Sequence, residues 1–223
     1  MEKLIKPGFF SINASADSKR INFDIMNEEY LYMGKKADIL FFGDSITDYW
    51  ELDLYFRNDI IKINRGIGGD TTYFASKRFD ADVIQLDIPR LVILLGTNDL
   101  LQIAPDLWHR IPGRDIDDVI DEIIENYKEM LAKCEGKDVY ICSVLPMSLC
   151  APYDRENFKN AVTKTNEKLK ELCKKTGATY IDYYSVLAVD GELPEELTSD
   201  GVHPNAAAYV KMAEVLKEKV DIL

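Results

Sequence analysis

Short apolar runs alternate with longer amphipathic stretches along most of this chain. ADILFF (37–42), IIKIN (60–64), RLVILL (90–95), DVYICSVL (138–145) and TYIDYY (179–184) are brief and rich in Val, Ile, Leu and aromatics. Three of them are almost continuously apolar, the pattern of strands covered on both faces. Between them, DIDDVIDEIIENYKEMLAKCEG places Ile116, Val119, Ile120, Ile123, Tyr127, Met130 and Leu131 three and four residues apart. This predicts a helix that opens on acids and closes on Gly136. RENFKNAVTKTNEKLKELCKKTG predicts a second helix ending at Gly177, and NAAAYVKMAEVLKEKV a last one. Strand–helix alternation over this length predicts a parallel sheet with helices on both faces. Residues 1–35 fit the alternation poorly and are expected to be a lead-in segment wrapping the core. The whole of 1–223 is expected to form one domain.

The strand ends carry the unusual residues. GDS (43–45) follows the first strand, RGIGGD (65–70) the second and GTND (96–99) the third, while DGVHPN (200–205) precedes the last helix. Ligands bind at the carboxyl ends of the strands in such sheets, so all four stretches are expected to meet on one edge. Each alone has a plain structural explanation. Ser45 would cap a helix starting near Thr47. The glycines would turn the chain or cradle a phosphate, Asn98 would steady a turn, and Asp200 and His203 would cap a loop and the last helix.

Together they answer the needs of one reaction. A serine hydroxyl needs an adjacent base. Of the two histidines, His109 lies in LWHRIPG, which reads as a loop, whereas His203 lies in DGVHPN, three residues after Asp200. A carboxylate on one imidazole nitrogen fixes the tautomer that leaves the other free to act. The glycine turn offers backbone N–H groups, and Asn98 a side-chain amide, to a developing oxyanion. Neither nucleotide pattern fits. Thr71 occupies the last glycine place of G-x-G-x-x-G, and G-x-x-x-x-G-K-[ST] is absent. Thr47 also breaks the nucleophile-elbow pattern G-x-S-x-G.

The set GDSITD, GIGGD, GTND and DGVHPN, in this order over residues 43–205, resembles the SGNH (GDSL-type) hydrolase family. NRGIGGDTT is similar to the branch holding platelet-activating-factor acetylhydrolase catalytic subunits and bacterial carbohydrate and acyl esterases. The resemblance implies a flavodoxin-like three-layer α/β/α fold with a five-stranded parallel sheet, and an esterase with no metal and no cofactor. It implies Ser45 as nucleophile, His203 as base and acid, and Asp200 as its orienting partner. The backbone amides of Ser45 and Gly69 and the side chain of Asn98 are then the oxyanion donors. Ile46 replaces the family's Leu at a packing position. Asp44, Leu101 and Trp108 are expected to contact substrate, with Ile103 and Leu107 beside them.

Composition narrows the partners. The formal charge of −12 repels phosphate backbones and anionic lipid heads, so neither nucleic acid nor stable membrane association is expected. MEKLIKPGFFSINASADS lacks an apolar run of signal-peptide length, which points to a cytoplasmic protein. Cysteines 134, 142, 150 and 173 form no C-x-x-C pair and read as reduced thiols. The expected partner is a small acyl ester, preferably an acetyl ester of a sugar or similar alcohol; a homodimer is compatible with the sequence. The alternatives are a lysophospholipase or thioesterase, a catalytically silent glycan-binding module, and a nucleotide-binding flavodoxin-like protein.

Overall fold

The computed structural model describes residues 4–8, 17–105, 112–148 and 155–223. Five parallel strands form one sheet: β1 (Ile39–Gly43), β2 (Lys62–Gly66), β3 (Arg90–Leu94), β4 (Asp138–Cys142) and β5 (Thr179–Ile181). Their order is β2-β1-β3-β4-β5, the flavodoxin-like winding, whose direction reverses between β1 and β3. All five predicted strands are present. The last two are shorter than the apolar runs suggest, because residues 143–148 and 182–184 lie outside the sheet.

The pleat explains the apolar runs. In β1, Leu40 and Phe42 enter one core, and Ile39 and Phe41 the other. The first core is closed by α4 (Thr72–Phe79), α6 (Ile116–Leu131) and α7 (Arg155–Thr176). The second is closed by α2 (Ser45–Asp48), α3 (Leu52–Tyr55), α8 (Tyr184–Leu187) and α9 (Ala206–Lys217), with Trp50 stacked on Tyr209. A one-turn helix α5 (Thr97–Leu100) follows β3. The result is a three-layer α/β/α sandwich.

Two boundaries differ from expectation. Helix α6 ends at Leu131 rather than running to Gly136, and residues 132–137 finish in tight turns. The last helix, α9, begins at Ala206 rather than Asn205, which instead caps it by accepting from the Ala207 and Ala208 amides.

The larger difference is at the N-terminus. Residues Asp17–Met33 form a 17-residue helix, α1, where the sequence predicts only a lead-in segment. Its inward face is polar: Arg20, Asp24 and Asn27 are all buried. A helix that buries charge shows no apolar stripe, so periodicity cannot reveal it. Phe23 joins Ile67 in a small separate cluster beside β2.

Candidate active site

Ser45 stands directly after β1, but it does not cap the helix that follows. Asp44 does: its Oδ1 accepts from the Ile46 amide at 2.9 Å. Ser45 is therefore the first helical residue, and its N–H belongs to the first turn, where no acceptor exists within the helix. Helix α2 lies tight against the sheet because β1 and β2 end in glycine. A Cβ on Gly43 would fall 2.1 Å from Thr47 Oγ1, and one on Gly66 would fall 2.2 Å from the Asp48 amide nitrogen. Asn64 donates to Thr47 O at 2.7 Å and Tyr209 Oη to Ile46 O at 2.8 Å, holding the helix from both sides. Ser45 is 7% exposed, so the nucleophile candidate sits in a recess rather than on an open edge.

His203 Nε2 lies 2.8 Å from Ser45 Oγ, and His203 Nδ1 lies 2.6 Å from Asp200 Oδ2. Partial desolvation pushes the Asp200 carboxyl up. Hydrogen bonds from the His203 amide and ring and from the Val202 amide outweigh it and hold the carboxyl at about 2. An ionised carboxylate only accepts, so Nδ1 carries the ring proton and Nε2 accepts from the Ser45 hydroxyl. The loop is rigid. Thr198 Oγ1 donates to His203 O at 2.7 Å and accepts from Gly201 N at 3.1 Å. Gly201 has φ +83°, and a Cβ there would meet Ser148 O at 2.3 Å, so only glycine lets the loop lie against the chain leaving β4.

The other two stretches come to the same edge. Asn98, opening α5, donates through Nδ2 to Asp70 O at 2.9 Å. This ties it to the residue following Gly69, which has φ +77°. Asp99 takes both the amide and the hydroxyl of Thr72, at 3.0 and 2.6 Å, anchoring the start of α4. Burial raises its carboxyl to about 6 despite those bonds.

The expected substrate contacts fare differently. Asp44 is fully buried, so it faces the core and not a substrate. Burial raises its carboxyl to about 8, helped by Asp70 and Asp99 and opposed by the Ile46 amide, and its Oδ2 has no hydrogen-bond partner among the described residues. Leu101 is half-buried in a short 3₁₀ turn and packs on the core beneath α4 and α6. Trp108, Leu107 and His109 lie outside the described residues. The sequence reading missed Tyr49. This residue is 58% exposed, with its ring centroid 5.4 Å from that of His203. An aromatic just past the serine was the available signal.

Among the described residues, Cys134, Cys142 and Cys173 are buried free thiols, and no group of three His, Cys, Asp or Glu is arranged to hold a metal. No described helix is long and apolar enough to cross a membrane.

A serine held to an imidazole that is itself held to a carboxylate, on the edge where a glycine turn and an asparagine amide converge, is suited to acyl transfer. Known proteins agree on the class. A structure from Bacteroides fragilis assigned as an acylhydrolase is 26% identical, with a TM-score of 0.70 over 88% of this chain and 93% of that one. A GDSL-like lipase from Bacteroides thetaiotaomicron is 27% identical, with a TM-score of 0.69 over 90% and 97%. A catalytic mutant of an acetylxylan esterase from Geobacillus stearothermophilus shares the fold at 18% identity, with a TM-score of 0.65 over 83% and 95%. No curated protein matches the sequence significantly. The model of the GDSL-like lipase/acylhydrolase family matches residues 41–211, which contain all four motifs, and the chain belongs to that family.

Proposed function

We propose that this acylhydrolase is a serine esterase that removes short acyl groups, acetyl above all, from a carbohydrate or other small alcohol. The observation that carries the reading is the unbroken line from Ser45 Oγ through His203 to Asp200, with links of 2.8 and 2.6 Å. Ser45 Oγ attacks the ester carbonyl while His203 Nε2 takes its proton. The carbonyl electrons move onto oxygen, which the amides of Ser45 and Gly69 and the Asn98 side chain receive. Asn98 Nδ2 carries two protons, and Asp70 O takes one. As the C–O bond breaks, His203 protonates the departing alcohol. Water then repeats the sequence on the acyl-serine and releases the acid.

Two observations favour a small acyl group. The point where a Cβ on Gly68 would sit is 3.9 Å from Ser45 Cβ, 3.9 Å from Tyr49 Oη and 3.8 Å from Asp48 Oδ2. A group of methyl size therefore fits beside the nucleophile at ordinary contact distance. The related fold of an acetylxylan esterase is in keeping with acetyl. Tyr49, exposed beside His203, offers a flat face to a ring-shaped alcohol. The test is hydrolysis of p-nitrophenyl acetate, butyrate and decanoate, and of acetylated xylosides, by wild type and Ser45→Ala. Acetyl turnover that vanishes in the folded mutant is expected. A preference for decanoate would overturn the short-acyl reading, and full activity of Ser45→Ala would overturn the serine mechanism.

A further inference from the structure

Beneath the glycine turn lies a buried ionic network that the reaction above does not use. Its centre is Arg78, on α4, whose side chain is wholly buried. Arg78 Nε donates to Asp70 Oδ2 at 2.7 Å, Nη1 to Arg65 O and Asp82 Oδ2 at 2.9 Å each, and Nη2 to Gly43 O at 3.0 Å. The guanidinium also lies 4.1 Å over the ring of Phe42. These partners are not scattered. Gly43 ends β1 two residues before Ser45, Arg65 stands at the end of β2, and Asp70 closes the turn that carries Gly69. One rigid, planar group therefore fixes all three segments from which the nucleophile and the glycine-turn amide emerge.

The reach extends one step further. The Asp70 side chain is gripped by Arg78, and its backbone carbonyl accepts Asn98 Nδ2 at 2.9 Å. Behind Arg78, Asp82 Oδ2 also receives Arg20 of α1, and Asp82 Oδ1 accepts Asn27 Nδ2 at 2.9 Å. Asn27 Oδ1 accepts Arg65 Nε at 3.0 Å and Nη2 at 2.8 Å. Asp82 is presented by a π-helical turn, Asp80–Ile84, that continues α4. Such turns are rare and cluster at functional sites. Helix α1 lies before the family-matched residues 41–211 and supplies Arg20, Asp24 and Asn27 to this network. A buried ionic cluster is weak evidence of stabilisation, and apolar residues of the same volume often serve as well. Its aim at the turn calls for another explanation.

We propose that Arg78 is a positioning residue for the oxyanion site, acting through Asp70 on the Gly69 amide and the Asn98 side chain, and that helix α1 holds Arg78 in place through Asp82. The proposal rests on the serine-esterase reading above. It requires that loosening Asp70 misplace the donors without moving Ser45, His203 or Asp200.

The test is Asp70→Asn, which keeps size and backbone but releases the charged grip of Arg78. It is combined with Asn98→Ala in a double-mutant cycle on p-nitrophenyl acetate, with Arg78→Lys and Ser45→Ala alongside. The variants are first checked for folding by circular dichroism. Asp70→Asn is expected to lower kcat about 10- to 100-fold, with KM within threefold of wild type. The double variant is expected to lose far less than the product of the single losses, because both act on one donor set. Arg78→Lys, with no fork, should lose kcat in the same way. If Arg78→Lys fails to fold, the Asp70 cycle still decides. Asp70→Asn within threefold of wild type, or losses that multiply, would overturn the positioning role while an inactive Ser45→Ala upholds the esterase. Undiminished activity in Ser45→Ala would overturn the reading and this proposal together.

Discussion

Asp200 grips His203 twice: Oδ2 meets the ring at Nδ1, 2.6 Å away, while Oδ1 accepts the backbone amide of the same histidine at 2.8 Å. Ring and backbone are fixed by one carboxylate, so imidazole orientation and loop shape are coupled. Asp200→Asn keeps the size and the backbone contact but places an amide against the Nδ1 proton. The ring is then expected to reverse its tautomer and lose its acceptor toward Ser45. Turnover of p-nitrophenyl acetate should fall about 10⁴-fold with the fold intact. A loss under tenfold would remove Asp200 from the role.

Asn98→Ala removes one of the three expected oxyanion donors and a bond to Asp70 O. Losing one such donor lowers turnover by roughly 100- to 1000-fold in other hydrolases. The same loss in kcat, with substrate binding little changed, is the expected outcome here. Steady-state kinetics decide the matter, and a variant within threefold of wild type would exclude Asn98 as a donor.

Gly68→Ala tests the proposed seat of the acyl methyl. The added Cβ makes only ordinary contacts, the nearest at 3.8 Å, so the variant should fold. It nevertheless fills the place proposed for the acyl methyl. Activity on acetate should drop, and activity on butyrate should drop further. An unchanged acetate-to-butyrate ratio would locate the acyl group elsewhere.

Asp44 makes a prediction about stability. Its carboxyl is raised from 3.8 to about 8 in the folded chain, chiefly by burial. The folded state thus binds a proton that the unfolded state releases. The neutral carboxyl favours folding fully below about pH 4, and that contribution drains away as pH rises to about 8. The loss is on the order of 5 kcal/mol across the window. Asp44→Asn, uncharged throughout, should show a flatter stability curve and overtake wild type at the alkaline end. Urea unfolding at several pH values gives both curves, and parallel curves would count against a buried neutral acid.

The sheet was legible because strands covered on both faces cannot hide their composition: ILFF and LVILL had no other place to go. The convergence of Ser45, Asn98, Asp200 and His203 was legible because short motifs carry them, two at strand ends and one before the last helix. Asp44 misled because an acid beside a nucleophile suggests contact with substrate, whereas its carboxyl turns inward to cap α2. Helix α1 was invisible because its buried face is mostly charged and amide side chains whose partners, Asp82 and Arg65, lie far along the chain. One signal could have exposed that network. Arg78 of α4 and Asp82 of the π-helical turn that continues it are four residues apart, on the side that also carries Ala75 and Phe79. Charges on the apolar side of a helix must find each other or remain unpaired in the core.

The hydrogen bond between Ser45 and His203 joins residues 158 positions apart. A ribosome making this chain releases the serine, the glycine turn and the asparagine long before the histidine exists. Until DGVHPN emerges and α9 docks against Trp50 and Ile46, Ser45 has no imidazole beside it and, in the proposed mechanism, is an ordinary alcohol. In the proposed mechanism the ester-cleaving site thus stays unarmed until residue 203 has been made and folded in, 158 positions after the nucleophile.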